Sequence, residues 1–154
     1  MKEEIINMLE KVTSVKVSEK DAMGIIFKNL GMLLTDVSMY LEENLGMSLS
    51  PYEKEMVMTM SVEEFLGFLR RKLKERDMQD IANLLRRVGA VRPSTYVDAQ
   101  DRICDLLDLE DEEKVADFLG AITEDFAFTP SEKEAANMLK MSLSELADFL
   151  NKIK

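Results

Sequence analysis

One stretch of this chain occurs twice. Ser50-Pro-Tyr-Glu-Lys-Glu55 followed by Met60-Ser-Val-Glu-Glu-Phe-Leu-Gly-Phe-Leu69 returns as Thr129-Pro-Ser-Glu-Lys-Glu134 followed by Met141-Ser-Leu-Ser-Glu-Leu-Ala-Asp-Phe-Leu150. With Ala135-Ala136 read as a two-residue insertion, nine positions are identical, from Pro51/Pro130 through Met60/Met141 and Ser61/Ser142 to Leu69/Leu150. A period of roughly 80 residues is too long for a solenoid unit and suits a small domain. The repeat therefore predicts a duplicated domain.

The local chemistry of the repeat specifies helix starts. Ser50-Pro51-Tyr-Glu53 and Thr129-Pro130-Ser-Glu132 each offer a capping hydroxyl, then Pro at the first helical position, then Glu at the third. Ser61-Val-Glu-Glu64 and Ser142-Leu-Ser-Glu145 are capping boxes, with Met60/Phe65 and Met141/Leu146 placed as hydrophobic staples. Ser18 with Asp21 reads as a further helix cap. Apolar residues follow a helical period elsewhere, at Ile5, Ile6, Leu9 and Val12, and from Ile25 to Leu41 with a break expected near Gly31. From Ser61 the helical period persists to Val88 and fits either one helix or two that meet at Glu75-Arg76-Asp77. Gly89 and Pro93 end it, and Val88–Thr95 is the expected domain boundary. A second unit is expected to open with a helix carrying Ile103, Leu106 and Leu107, in the place of Ile5, Ile6 and Leu9.

Composition narrows the chemistry. With 46% hydrophobic residues over 154 positions, the chain can bury one medium core or two small ones, and it is too apolar to be disordered. No alternating β-branched run appears, so the class is all-α. Neither a membrane span nor a signal peptide is read from the sequence. The single Cys104, expected in the core, forms no internal disulfide and points to a reducing, cytoplasmic setting. Histidine is absent, which removes the commonest general base and leaves no zinc constellation. The carboxylates from Asp105 to Glu113 lack the spacing of a calcium loop, and no Gly-rich phosphate loop occurs. The reading is non-enzymatic, without metal or cofactor. The twelve Met residues read as gap-filling core, or as an adaptable binding groove.

Charge is unevenly distributed. Residues 1–69 carry a net −6, residues 70–92 a net +5, and residues 93–154 a net −9. An acidic chain repels phosphate backbones, which excludes nucleic acid as the main partner. Arg70, Arg71, Lys72, Lys74, Arg86 and Arg87 form a basic strip. It reads as a solvated or internally docked helix face, or as a surface for an acidic partner or lipid headgroup.

The ordered segments, helix, loop, helix, short helix, helix, resemble the acyl carrier protein family. Leu41-Glu-Glu-Asn-Leu-Gly46 is similar to the end of that family's second helix. Ser61–Leu69 and Ser142–Leu150 resemble its fourth helix, and Phe27-Lys-Asn-Leu-Gly31 the stretch before its attachment site. Ile122-Thr-Glu-Asp-Phe126 is a weaker counterpart in the second unit. The resemblance implies two tandem four-helix acyl-carrier-like bundles, at residues 1–75 and 94–154, joined by a basic linker helix at 76–93. The family's phosphopantetheine is carried on the serine of an Asp-Ser dipeptide, and this chain contains none. Counting back from Leu41 reaches Gly31, counting forward from Gly31 reaches Leu34, and the count from Ile122 reaches Glu112. No attachment residue carries over. In the family, partner enzymes read an acidic second helix through basic patches. Glu110, Asp111, Glu112, Glu113 and Asp117 offer that surface here, with Glu124 and Asp125 further on. The expected function is a non-enzymatic tandem protein-interaction module. The alternatives are a working carrier with an unrecognised serine and a death-fold-like adaptor.

Overall fold

Helix starts and stops that are visible in the sequence lay out the first unit. The computed structural model describes residues 1–27 and 33–152. Helix α1 (Lys2–Thr13) buries Ile5, Met8 and Leu9 at helical spacing. It ends where Ser14 turns left-handed at φ 57° and donates its N–H to Glu10 O. A loop leads to the single turn α2 (Met23–Ile26) and then to α3 (Leu33–Leu45), which stops at Gly46 with φ 60°. Glycine meets that left-handed stop without a Cβ clash. Helix α4 (Pro51–Val57) starts at a full capping box between Ser50 and Glu53, and α5 (Val62–Arg87) follows. Ile5, Leu9, Met23, Leu41, Phe65 and Leu69 are each less than 2% exposed and centre the core of this unit. Each such side chain stabilises by roughly 1.5–3 kcal/mol relative to exposure.

Compact units divide at Leu73/Lys74, as Met1–Leu73 and Lys74–Lys154. The second contains the rest of α5, the single turn α6 (Ile103–Leu106), α7 (Glu112–Phe126), α8 (Glu132–Lys140) and α9 (Leu143–Lys152). Its core holds Ile81, Leu85, Ile103, Leu107, Phe118, Ile122, Leu146 and Leu150. The described residues form helices joined by loops, with two isolated backbone bridges, and the class is all-α.

This arrangement differs from the expected linker. Helix α5 is unbroken over 26 residues, about 39 Å at 1.5 Å per residue. Within 76–93, Ile81, Ala82, Leu84, Leu85 and Val91 are buried in the second core. The segment is thus a core element rather than a connector, and the boundary lies inside a helix instead of at Val88–Thr95. Correspondingly, Ile103, Leu106 and Leu107 sit on and beside a one-turn helix, not on a counterpart of α1. Cys104 on the same turn is only partly buried.

The same short set of backbone bonds holds the entry to α2 and the entry to α6. In the first unit Met23 N–H donates to Met60 O (2.9 Å) and Val62 N–H to Asp21 O (2.8 Å). In the second, Ile103 N–H donates to Met141 O (2.9 Å) and Leu143 N–H to Asp101 O (3.0 Å). Antiparallel bridges join Ala22 to Ser61 and Arg102 to Ser142. A turn precedes each, closed by Asp21 accepting from Ser18 N–H (2.7 Å) and by Asp101 accepting from Asp98 N–H (2.8 Å). Ser18 and Asp21 therefore shape a turn, not the helix cap expected of them.

These equivalences re-register the repeat. Helix α8 is capped by Ser131, with a full box to Glu134, and not by Thr129 with Glu132. Ser131 lies four residues past the left-handed Ala127 (φ 51°), as Ser50 lies four past Gly46. Ser50 then matches Ser131, and the buried Val57 matches the buried Met138. No insertion at Ala135-Ala136 is needed. The matches of Pro51 with Pro130 and Lys54 with Lys133 fall two positions out of step, whereas those from Met60/Met141 onward keep their place. The capping serines Ser61 and Ser142 accept from Glu64 N–H and Glu145 N–H, each at 3.1 Å.

Candidate functional site

The acidic surface picked out by the sequence is built around the start of α7. Asp108 accepts the Glu110 N–H at 3.0 Å, and Asp111 N–H bonds Asp108 O at 3.1 Å, which folds the chain into a turn. Asp111 then caps α7 by accepting from Lys114 N–H at 3.2 Å. Carboxylates at a helix start are favoured by the partial positive charge there. Glu110, Glu112, Glu113 and Asp117 are exposed. Lys114 partly offsets Asp111 at 4.0 Å, and Arg87 lies 3.7 Å from Asp125 further along the helix. No ion pair engages Glu112, Glu113 or Asp117 among the described residues. The face is an array of solvated negative charge at the capped start of a helix.

The basic strip is not a single surface. Lys72 belongs to the first unit, where its Nζ contacts Glu53 at 2.6 Å and Ser48 O at 3.3 Å and lies 5.7 Å from the Phe68 ring centroid. Lys74 pairs with Asp148 on α9 at 3.0 Å. Arg86 donates to Asn83 Oδ1 (3.0 Å) and Thr95 O (2.9 Å). With Arg87 set against Asp125, these four cations are used inside their own units. Arg70 and Arg71 are exposed. The strip is thus divided between internal ties and two solvated arginines.

The Lys72 contact has an electrostatic consequence. The Lys72 ammonium, followed by the Ser50 N–H, holds the Glu53 carboxyl below its ordinary value of 4.5. A carboxyl whose folded value is depressed adds stability that is present above the unfolded value and is lost as pH falls through the folded one. Lys72→Met, which keeps the apolar stem, should therefore flatten the loss of stability between about pH 5 and the acid limit. Denaturant midpoints of both proteins across that range measure it. Parallel acid profiles would show that the pair contributes nothing.

Positions reached by counting to the carrier attachment site offer no hydroxyl. Gly31 lies outside the described residues, as does most of the Phe27–Gly31 stretch. Leu34 falls in α3, and Glu112 is the exposed first residue of α7. The four serines of the re-registered repeat, Ser50, Ser61, Ser131 and Ser142, all accept helix N–H bonds. Among the described residues no group of three or more Cys or carboxylate side chains is placed to hold a metal ion. No described helix is long and apolar enough to cross a membrane.

Sequence reading missed a groove of about 320 Å³ on the second unit, lined in part by Met78, Arg86, Val97, Asp98 and Leu143. Four of its nine lining residues, Tyr96 to Ala99, come from a loop, where no periodic signal marks which residues converge. No protein-family model, curated protein or solved structure matches the chain.

Proposed function

We propose that the chain is a non-enzymatic, acyl-carrier-like tandem module of two four-helix units that binds protein partners through the acidic face of α7. The observation that carries this reading is the exposure of Glu112, Glu113 and Asp117 on one capped helix with no ion pair to any of them among the described residues. Charge left unneutralised on an ordered scaffold favours a partner with a basic patch, through faster encounter and discrimination among partners more than through raw affinity. The absent Asp-Ser dipeptide, and the use of the repeat serines as caps, support a module without the prosthetic group.

Two measurements test this. Intact mass after co-expression with a phosphopantetheinyl transferase should be unchanged, and a gain of cofactor mass would establish the working-carrier alternative instead. Glu112→Lys, Glu113→Lys and Asp117→Lys together should abolish salt-sensitive capture of basic partner proteins while leaving the circular dichroism spectrum unchanged. Capture that is indifferent to the triple reversal would remove α7 as the interaction face.

A further inference from the structure

We propose that the groove on the second unit binds a short extended peptide bearing a carboxylate, an apolar side chain and an ammonium group on alternating residues. The lining of the groove comes from α5, through Met78, Ala82 and Arg86, from the segment around Val97 and Asp98, and from Leu143. Its apolar part is Met78, Ala82, Val97 and Leu143. It carries one cation, Arg86, which is bonded to Thr95 O, and one carboxylate, Asp98, three residues after Thr95.

Arg86 supplies the positive charge. Its guanidinium is fixed by Asn83 Oδ1 and Thr95 O, both neutral acceptors, and its Nε is buried with no hydrogen-bond partner. No carboxylate pairs with it among the described residues. A half-buried cation without a counter-charge is costly, and a ligand carboxylate would relieve that cost. Asp98 supplies the negative charge. Its N–H is taken by Asp101, but its exposed carboxylate has no partner among the described residues. The next residue, Ala99, is tied near Leu143 by accepting from Ser144 N–H at 2.9 Å. The chain from Thr95 to Asp98 is not helical, and three extended residues span about 10 Å. Along it, the main-chain groups of Tyr96 and Val97 make no hydrogen bonds to the described residues. They are open to pairing with an incoming extended chain, whose same-face side chains recur about every 7 Å. Tyr96, 83% exposed at the rim, adds a rigid aromatic surface of the kind enriched in interfaces.

The first unit shows what closes such a place. Glu19 O accepts from Glu63 N–H as Ala99 O accepts from Ser144 N–H, so Glu19 is the counterpart of Ala99. The buried pairs Ile5/Ile81 and Leu9/Leu85 likewise set Lys2 against Met78. Lys2 and Glu19 form an ion pair, where the second unit has a methionine and an alanine lining open space.

The test is an amide chemical-shift titration of the full chain with a capped five-residue peptide carrying glutamate, leucine and lysine at positions one, three and five, and with its reversed sequence. One of the two, at about millimolar concentration, should shift the amides of Ala82, Val97 and Leu143. Asp98→Asn, at an exposed position that leaves the fold in place, should weaken that binding about two- to fivefold, as expected for one exposed ion pair. Replacing the peptide's leucine with serine should abolish it. The idea is overturned by no shift in the groove with either peptide, by equal binding to Asp98→Asn, or by equal binding of the serine peptide. The triple reversal on α7 should leave this titration unchanged, so the two proposals fail separately.

Discussion

Leu85→Ala should destabilise the protein by about 2–5 kcal/mol, the range for deleting a fully buried leucine when its surroundings collapse only in part. Leu85 is 0% exposed and packs in the second core. It lies beside Arg86 and Arg87 in the stretch whose composition reads as a basic connector. A connector residue would cost no more than about 0.5 kcal/mol on truncation, the usual range for surface sites. Equilibrium unfolding in denaturant separates the two outcomes cleanly. A change of that smaller size would mean that the C-terminal half of α5 does not belong to the core.

Gly24→Ala should cost about 1–3 kcal/mol, the usual range for overpacking. A Cβ at Gly24 would stand 2.7 Å from Met58 O, a backbone atom that cannot swing aside as a flexible side-chain end could. The backbone at the end of α4 or the turn α2 would have to shift, and the bond from Met23 N–H to Met60 O lies next to both. The second unit supplies its own control. Cys104 follows Ile103 as Gly24 follows Met23, and the chain there already accommodates a side chain. Cys104→Ala should therefore change stability by less than about 1 kcal/mol. An unfolding midpoint for Gly24→Ala equal to wild type would show that the α2–α4 contact yields without cost.

What could be read from the sequence was what short-range chemistry decides. The boxes at Ser50 and Ser61 depend on a hydroxyl and a glutamate three residues apart, and both form in the structure. At Ser142 the hydroxyl accepts from Glu145 N–H but donates to the Glu145 carboxylate, which bonds the hydroxyl in place of the main-chain N–H. Thr129-Pro-Ser-Glu-Lys-Glu134 was ambiguous because it contains two overlapping boxes. A start at Thr129 would turn α8 by about 200° at 100° per residue and carry Met138 away from the core, so burial selects Ser131. The C-terminal half of α5 reads as a linker for a different reason. Ile81, Leu84 and Leu85 are spaced for a core face, but eight basic residues between Arg70 and Arg92 pointed to solvent. Long basic side chains can lie at the edge of a core while their heads find acceptors, as Arg86 does with Thr95 O. The acidic face of α7 was legible because it is local to one helix. The Lys72–Glu53 tie was not, since its partners are nineteen residues apart and meet only once α4 packs beside α5.

A single helix that serves two cores also has a single beginning. Starting a helix is the unfavourable step, with an initiation factor of about 10⁻³, whereas each added residue extends it readily. The hydroxyl that starts α5 is Ser61, in the first unit, and no capping box stands at Leu73–Lys74, where the second unit begins. Cutting the chain at that junction would leave Lys74–Arg87 as fourteen residues with unsatisfied N–H groups at their head, a length that is marginal for a helix by itself. In the intact chain the first helix of the second unit is therefore the continuation of one whose start lies wholly outside that unit. Severed from it, the helix would rest on its packing into the second core alone.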